Sequence, residues 1–393
     1  MRLLFALPHV PWPPVGGGRA RNWFLSSILA ARHESHLFAL RSPDEPAGDT
    51  PPGLPYASLT IEPVPTASPP RYSAAWWTLR VRSMRHPAAS FYQEAAEQRF
   101  AALVRQLKPD AIVYGMSWML PYARAAGGVP GVVDEQNYDP QITARIAAGH
   151  TGMEALKWKF YADITARAER RNLRLVRGIA PCSEPDAAIF RREAPHADVE
   201  IVPNGVDTAA FSATPPGDGV VMTGSFSYPP NRDGAFRLAR RIWPLVRQRL
   251  PDAQLRLVGL KGEHELEDLA AHAGVTVVGT VPDVRPELAR ARVAAAPLDV
   301  GGGTRIKILE AFAAGRPVVS TTVGAEGLSV GADGDTVLLR DDDEGFAAAL
   351  VRLLEDRELA QAMGTRARKL VVEHYDWRAS AERLEALLQR VIT

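Results

Sequence analysis

Twice along this chain, short apolar runs alternate with segments of helical length, and no other feature limits the fold so tightly. Strands that are apolar throughout are buried on both faces, and the helices between them are the crossovers that parallel pairing needs. The first series predicts strands at Arg2–Leu7, Glu34–Leu40, Ala57–Glu62, Asp110–Tyr114, Pro130–Asp134 and Gly178–Pro181. Helical patterns occupy 19–32, 72–85, 90–107 and 151–175. The second series predicts strands at Val220–Thr223, Gln254–Val258, Val275–Val278, Val293–Ala296 and Pro317–Thr321, and the chain closes on an amphipathic helix over Arg378–Ile392. Between the series, Thr214-Pro215-Pro216-Gly217-Asp218-Gly219 is rich in turn formers and poor in apolar residues, as a linker would be. The reading is α/β: a Rossmann-like domain over 1–203, a linker over 204–218, and a second such domain over 219–375. Open parallel sheets bind ligands beyond the carboxyl ends of their strands, so a cleft between the two doubly wound domains is the expected site.

Length and composition agree with two soluble domains. The chain has 393 residues, of which 46% are hydrophobic and 23% charged. A formal net charge of +1 argues against a general nucleic-acid binder. Cys182 stands alone, which rules out an internal disulfide and suits a reducing compartment. No run reaches the roughly 18 apolar residues of a membrane span. The apolar stretch Met1–Leu7 runs straight into Pro8 and His9, and reads as a first buried strand rather than a leader. A cytoplasmic location, with access to the inner membrane face, is expected.

Two glycine loops carry the first chemical signal. Pro13-Pro14-Val15-Gly16-Gly17-Gly18-Arg19 follows the first strand and opens a helix. Gly16, Gly17 and Gly18 let backbone approach a ligand, and a helix N-terminus offers free N–H groups to an anion. The spacing is neither G-x-G-x-x-G nor a Walker A loop. The second loop is Gly301-Gly302-Gly303-Thr304-Arg305-Ile306-Lys307, again between a strand and a helix. Arg305 and Lys307 stand where cations oppose the helix dipole, which suggests a compensating anion such as a diphosphate. Glu310 follows more than one turn later, where a carboxylate can accept hydrogen bonds from two neighbouring ribose hydroxyls.

The segment Gly303–Ser320, with Leu309-Glu310-Ala311-Phe312-Ala313-Ala314-Gly315-Arg316-Pro317-Val318-Val319, resembles the donor-binding motif of glycosyltransferase family 4, the large retaining family of the GT-B fold. Ile201-Val202-Pro203-Asn204-Gly205-Val206-Asp207, Val258-Gly259, Gly279-Thr280-Val281 and Tyr375-Asp376-Trp377 agree with it in order. The resemblance implies two facing domains, a UDP- or GDP-sugar bound mainly by the second, an acceptor bound mainly by the first, and a last helix, 376–393, that crosses back to the first. Glu310 would hold the ribose, Gly302, Gly303 and Thr304 would meet sugar or diphosphate, and Val281 would lie beside the base. Gly16–Gly18 would pack near the diphosphate. The family usually has two acids separated by seven residues, and the position of the first is Gly302 here. It also often has an Arg and a Lys after the first strand of the second domain, where Ser225 and Asn231 stand in this chain. Arg305 and Lys307, with Arg232, are the cations available instead. The Gly-Gly-Gly-Thr-Arg-Ile-Lys form is that of a branch of the same family.

At the end of a first-domain strand, Asp134 and Glu135 are candidates to polarise an acceptor hydroxyl or stabilise oxocarbenium charge. The plainer reading is a helix cap, to which Asp139-Pro140 is suited. No cofactor or metal is required by the sequence, and the nine histidines show no metal-type clustering with the cysteine. His9, just past the first strand, reads as structural. Trp76-Trp77-Thr78-Leu79-Arg80-Val81-Arg82 mixes Trp with Arg, as a membrane-contacting or lipid-gripping segment can, although ordinary packing explains it as well. The basic run Arg167–Arg177 reads as a solvated helix face. The leading expectation is a retaining hexosyltransferase acting on a saccharide, lipid-linked or natural-product acceptor. The alternatives are a nucleotide-sugar epimerase of the same fold, or a catalytically silent nucleotide-sugar-binding partner.

Overall fold

Runs of Val, Leu, Ile, Ala and Phe without polar alternation leave no face for water, so most strands sit inside a sandwich of helices. The computed structural model describes residues 1–41, 50–64, 91–300 and 304–393. They form two units, one of residues 1–203 with 378–393 and one of residues 204–377. The helical pattern at 72–85, including Trp76–Arg82, lies outside the described residues.

The first unit is a parallel sheet of seven strands: β1 Arg2–Leu7, β2 Glu34–Arg41, β3 Ser58–Pro63, β4 Ala111–Gly115, β5 Gly131–Glu135, β6 Gly178–Pro181 and β7 Asp198–Val199, in the order β3-β2-β1-β4-β5-β6-β7. Register runs Leu4 opposite His36 on one side and Ile112 on the other. Winding reverses between β1 and β4, which opens a crevice at their carboxyl ends. Helix α1, Gly17–Ala30, follows β1; α2, Glu94–Leu107, leads into β4. Helices α3, Asp139–Ala148, and α4, Gly152–Leu173, separate β5 from β6, and α5, Glu184–Glu193, precedes β7. Leu4, Ala6, Phe38, Ile112, Val133 and Ile179 meet Phe100 of α2 in the core.

The second unit repeats the plan with six strands: β8 Val220–Thr223, β9 Leu255–Val258, β10 Val275–Gly279, β11 Val293–Ala296, β12 Val318–Ser320 and β13 Val337–Leu339, ordered β10-β9-β8-β11-β12-β13. Successive side chains go to opposite faces, as the pleat demands. Val220, Met222, Leu255, Leu257, Val293 and Ala295 pack with Trp243 and Phe346, whereas Val221, Val258, Ala294 and Ala296 pack with Ile308, Leu309 and Phe312. Helix α6, Pro229–Arg237, follows β8, and α7, Ile306–Ala313, follows β11. The periodicity gives no sign of β7 or β13, which are two and three residues long and too short to show a period.

Segment 204–218 is wrapped onto the second unit. Val206 N–H donates to Tyr375 O at 2.8 Å, and Gly217 N–H to Ala291 O at 3.2 Å. The buried Arg316 guanidinium donates to Thr214 O at 2.5 Å and Pro215 O at 3.1 Å. The prolines and glycines there serve a close wrap. The last helix, α8 at Trp377–Ile392, rejoins the first sheet: Leu387 and Val391 touch Gly178 of β6, Glu385 pairs with Arg32 and His33, and Arg390 with Asp198 and Glu200.

Candidate functional site

In the second sheet the winding reverses between β8 and β11, which pair directly. Loops leaving their carboxyl ends therefore diverge over the switch point. The β8 loop, 224–228, is stacked on its neighbours by glycine contacts. Gly259, after β9, has a φ of 141°, and a Cβ there would lie 1.9 Å from the Gly224 carbonyl oxygen. Its N–H donates to Gly279 O at the end of β10, at 2.7 Å. Three loops are thus held at backbone contact, and only glycine fits.

Beside this floor begins α7, whose Lys307 reaches Gly224. Gly302 and Gly303 lie outside the described residues. Thr304 is buried, its carbonyl accepts from Asn204 Nδ2 at 3.0 Å, and its hydroxyl has no partner among the described residues. Arg305 takes the cap position of α7 rather than its first turn, is buried, and donates to Val323 O at 3.1 Å. No acid stands in the first turn of α7 and no side chain caps it, so its N–H groups and the two cations stack like charge on like.

Lys307 turns toward the β8 loop. Its Nζ donates to Asn231 Oδ1 at 2.6 Å, and Asn231 Nδ2 donates to Ser225 O at 2.9 Å. A Cβ on Gly224 would meet both Lys307 Nζ and Asn231 Nδ2 at 3.0 Å. The ammonium thus stands against Gly224 of the β8 loop and Asn231 at the start of α6. Lys307 and Glu310 are crowded by protein yet keep partial solvent access. Burial and then the Arg305 charge press the Lys307 ammonium down to about 7, against a smaller opposing pull from Glu310. Burial pushes the Glu310 carboxyl up to about 7; Lys307 lowers it and Asp283 raises it further. The two form no salt bridge with each other, and the Glu310 carboxylate accepts no hydrogen bond from a described residue, although its backbone carbonyl takes one from Ala314 N–H at 3.0 Å. Val281 packs against the Ile308–Leu309–Phe312 cluster, which places its loop, with Asp283, beside α7. Arg232, in contrast, pairs with Glu265 at 3.4 Å and Asp233 at 3.7 Å, with its side chain 41% exposed.

In the first unit, Gly16 caps α1 with φ 85° and ψ 154°, and Gly17 and Gly18 open the helix without an acid or a side-chain cap. Gly18 lies against Gln136: a Cβ would be 2.9 Å from Oε1. Asp134 is 3% exposed and held by Arg21, itself 0% exposed, through Nη2 at 2.5 Å and Nε at 3.0 Å. The carboxylate that the sequence suggests for an acceptor hydroxyl instead anchors α1 to the sheet.

Glu135 has the opposite character. Both its oxygens are buried without a hydrogen-bond partner among the described residues, and the Ser117 amide offers only a small lowering influence. Burial, then the charges of Glu169, Asp139 and Asp134, hold its carboxyl well above the usual range. Glu169 of α4, also buried and with Oε1 unpartnered among the described residues, is raised by burial and by Asp139. Asp139 begins α3 and does not cap it; its oxygens accept from Trp118 Nε1 at 2.7 Å and Asn137 Nδ2 at 2.5 Å. Beside it a cavity of about 200 Å³ is lined by Phe91, Trp118, Thr143 and Tyr161 among others. Phe91 stacks on Trp118 at 4.8 Å, and His9 meets Phe91 edge-on at 5.6 Å. The sequence gives no hint of Glu169 or Trp118, because each joins this group only through the packing of α4 against residues 117–125 and of those residues against β5.

Comparisons with known proteins extend these observations. Residues 15–210 match the family model described as Glycosyltransferase Family 4, and residues 217–356 match that described as Glycosyl transferases group 1. A phosphatidyl-myo-inositol mannosyltransferase of Mycolicibacterium smegmatis is 36% identical over 203 residues, covering 48% of this chain and 51% of the relative. A GDP-mannose-dependent monoacylated alpha-(1-6)-phosphatidylinositol monomannoside mannosyltransferase of Corynebacterium glutamicum is 30% identical over 220 residues, covering 49% and 57%. The chain thus spans little more than half the length of these relatives. Among solved structures, a sucrose-phosphate synthase from Thermosynechococcus elongatus superposes with a TM-score of 0.74 at 19% identity, covering 100% of this chain and 99% of that one. Anabaena HepE in complex with UDP and glucose gives 0.69 at 13% identity, covering 99% of each. These likenesses give the chain the GT-B fold. With one family model on each unit, and a relative more than a third identical, this chain belongs to glycosyltransferase family 4.

Proposed function

We propose that this protein transfers a hexose, of mannosyl type, from a nucleotide-diphosphate donor to a saccharide, lipid-linked or small-molecule acceptor with retention of configuration. The observation that carries the reading is the pair Lys307 and Glu310. They stand on one face of α7, crowded, without a salt bridge to each other, and both driven toward their neutral forms. A diphosphate over the N-terminus of α7 restores the charge of Lys307, with Arg305 behind it, and uses the uncapped N–H groups. Ribose hydroxyls donating to Glu310 stabilise its carboxylate. Val281 flanks the base. The leaving diphosphate is itself the group that must gain charge in the transition state, so cations aimed at it accelerate cleavage without an enzyme nucleophile. On the acceptor side, the cavity walled by Phe91, Trp118 and Asp139 suits a polyhydroxylated ring. The names of the mannosyltransferase relatives support a mannosyl donor, and that of the Corynebacterium enzyme supports GDP-mannose as the first donor to test.

The test is thermal shift with GDP, UDP, dTDP and ADP on the full chain, beside Lys307→Met and Glu310→Gln. A ligand at 100 times its Kd adds about 2.7 kcal/mol of stability. One diphosphate is expected to stabilise the wild type and neither variant to match it. If no nucleotide stabilises a folded wild type, the donor assignment is wrong.

A further inference from the structure

Helix α4 carries a surface unlike any other in the described chain. Its buried side is Ala162, Thr165, Ala168, Glu169, Asn172 and Leu173. At 100° per residue, Met153, Leu156 and Phe160 fall within a narrow stripe on the opposite, solvent side. They are 80%, 60% and 56% exposed, and together with Tyr161 they make up four of the eight large exposed hydrophobics among the described residues. Apolar side chains exposed singly need no explanation, but three on one stripe form a patch, and a patch marks a contact. The same stripe continues toward the C-terminus as Arg167, Arg171 and Arg174, all exposed. Lys157 and Lys159 flank its apolar part; Lys157 shares its charge with Glu154 at 3.1 Å and lies over the Trp158 ring at 5.7 Å. Trp158 in turn stacks on His150 at 6.3 Å. Against these cations the solvent side sets only Glu154 and Asp163.

We infer that this side of α4 is a docking surface for an anionic lipid bilayer. A protein partner could match the apolar stripe alone, but the apolar end followed by a run of arginines, with lysines at its margins, matches the acyl boundary and the charged headgroups of one surface. Long basic side chains lay their methylene stems along such a boundary while their charges stay with the headgroups. Among the described residues no helix is long and apolar enough to cross a membrane, so the contact is peripheral. The inference is independent of the donor reading, since α4 belongs to the first unit and Lys307 and Glu310 to the second.

Vesicle flotation of the full chain tests it, with vesicles of phosphatidylcholine alone or with one-quarter phosphatidylglycerol. The wild type is expected on the anionic vesicles only. Met153→Ser/Leu156→Ser/Phe160→Ser should lower the partition coefficient at least about tenfold, the loss expected for apolar side chains withdrawn from the interface. Lys159→Glu/Arg167→Glu should do likewise at low salt and less at high salt. Because all five side chains are on the solvent side, each variant should keep the wild-type melting temperature, which is measured in parallel. Equal binding to neutral vesicles, no binding to either, or unchanged binding of the triple serine variant overturns the proposal. So does a wild-type dimer in sedimentation velocity that the serine variant converts to monomer, which would assign the stripe to a second copy of the chain.

Discussion

A donor site built on Lys307 and Glu310 should announce itself in the pH dependence of binding. Free, both groups sit near 7. Bound, both must be charged: the ammonium against the diphosphate, the carboxylate against ribose hydroxyls. For Lys307 the bound form holds the proton more firmly than the free form, so affinity falls as pH rises through about 7. For Glu310 the bound form holds it less firmly, so affinity falls as pH drops through about 7. Affinity then follows the fraction of free protein with both groups charged. That fraction is about one quarter at pH 7 and about one thirty-third 1.5 units to either side, an eightfold drop, or ~1.2 kcal/mol. Partial solvent access makes this an upper bound. A sugar nucleotide is the right ligand, because its diphosphate is a diester and does not titrate in this range. Calorimetry at about pH 5.5, 7 and 8.5 should give a bell; Lys307→Met should flatten the alkaline limb and Glu310→Gln the acid limb, each leaving the other. An affinity independent of pH, or a variant that removes the wrong limb, refutes the assignment.

Further outcomes follow from other parts of the molecule. Asp134→Ala strands the buried Arg21 guanidinium and should destabilise the first unit by about 3–5 kcal/mol in urea unfolding, whereas Arg21→Met/Asp134→Leu should recover most of the loss. Glu135 and Glu169 have folded-state values raised above the ordinary carboxylate value, so burial costs stability progressively as pH rises above about 4.5. Glu135→Gln should therefore be more stable than wild type at neutral pH and lose that advantage in acid, as denaturation at both pH values would show. Gly259→Ala forces a Cβ onto the Gly224 carbonyl at a φ of 141°, and should cost at least about 1–3 kcal/mol together with weakened nucleotide binding.

Much of the fold is readable along the chain because parallel strands buried on both faces are apolar without interruption. Arg2–Leu7, Gly178–Pro181, Val220–Thr223 and Val293–Ala296 coincide with β1, β6, β8 and β11. What escapes is what depends on partners distant in sequence. That Asp134 is bound to Arg21, 113 residues away, cannot be seen in Val132-Val133-Asp134-Glu135. Nor can the Lys307–Asn231 contact, across 76 residues, be seen in either glycine loop, although the missing cations after β8 did point to a need for it. Asp139 looks like a cap in sequence, yet Trp118 and Asn137 compete for its oxygens and win. The turn-rich run at 214–219 hides a buried arginine, Arg316, whose pull on two carbonyls fastens it down.

The last helix completes the first sheet's flank only after the whole second unit has been made. Synthesis runs from the N-terminus, so the ground beneath α8 around Gly178, Asp198 and Glu200 is exposed to water while about half of the chain is still to come. The second unit, contiguous from 204 to 377, can close as a single piece; the first waits for its own final sixteen residues, 378–393. During that interval the nascent protein carries a sheet with one helix missing, and a peptide corresponding to α8, or a chaperone that covers its seat, would decide how many chains reach the native state.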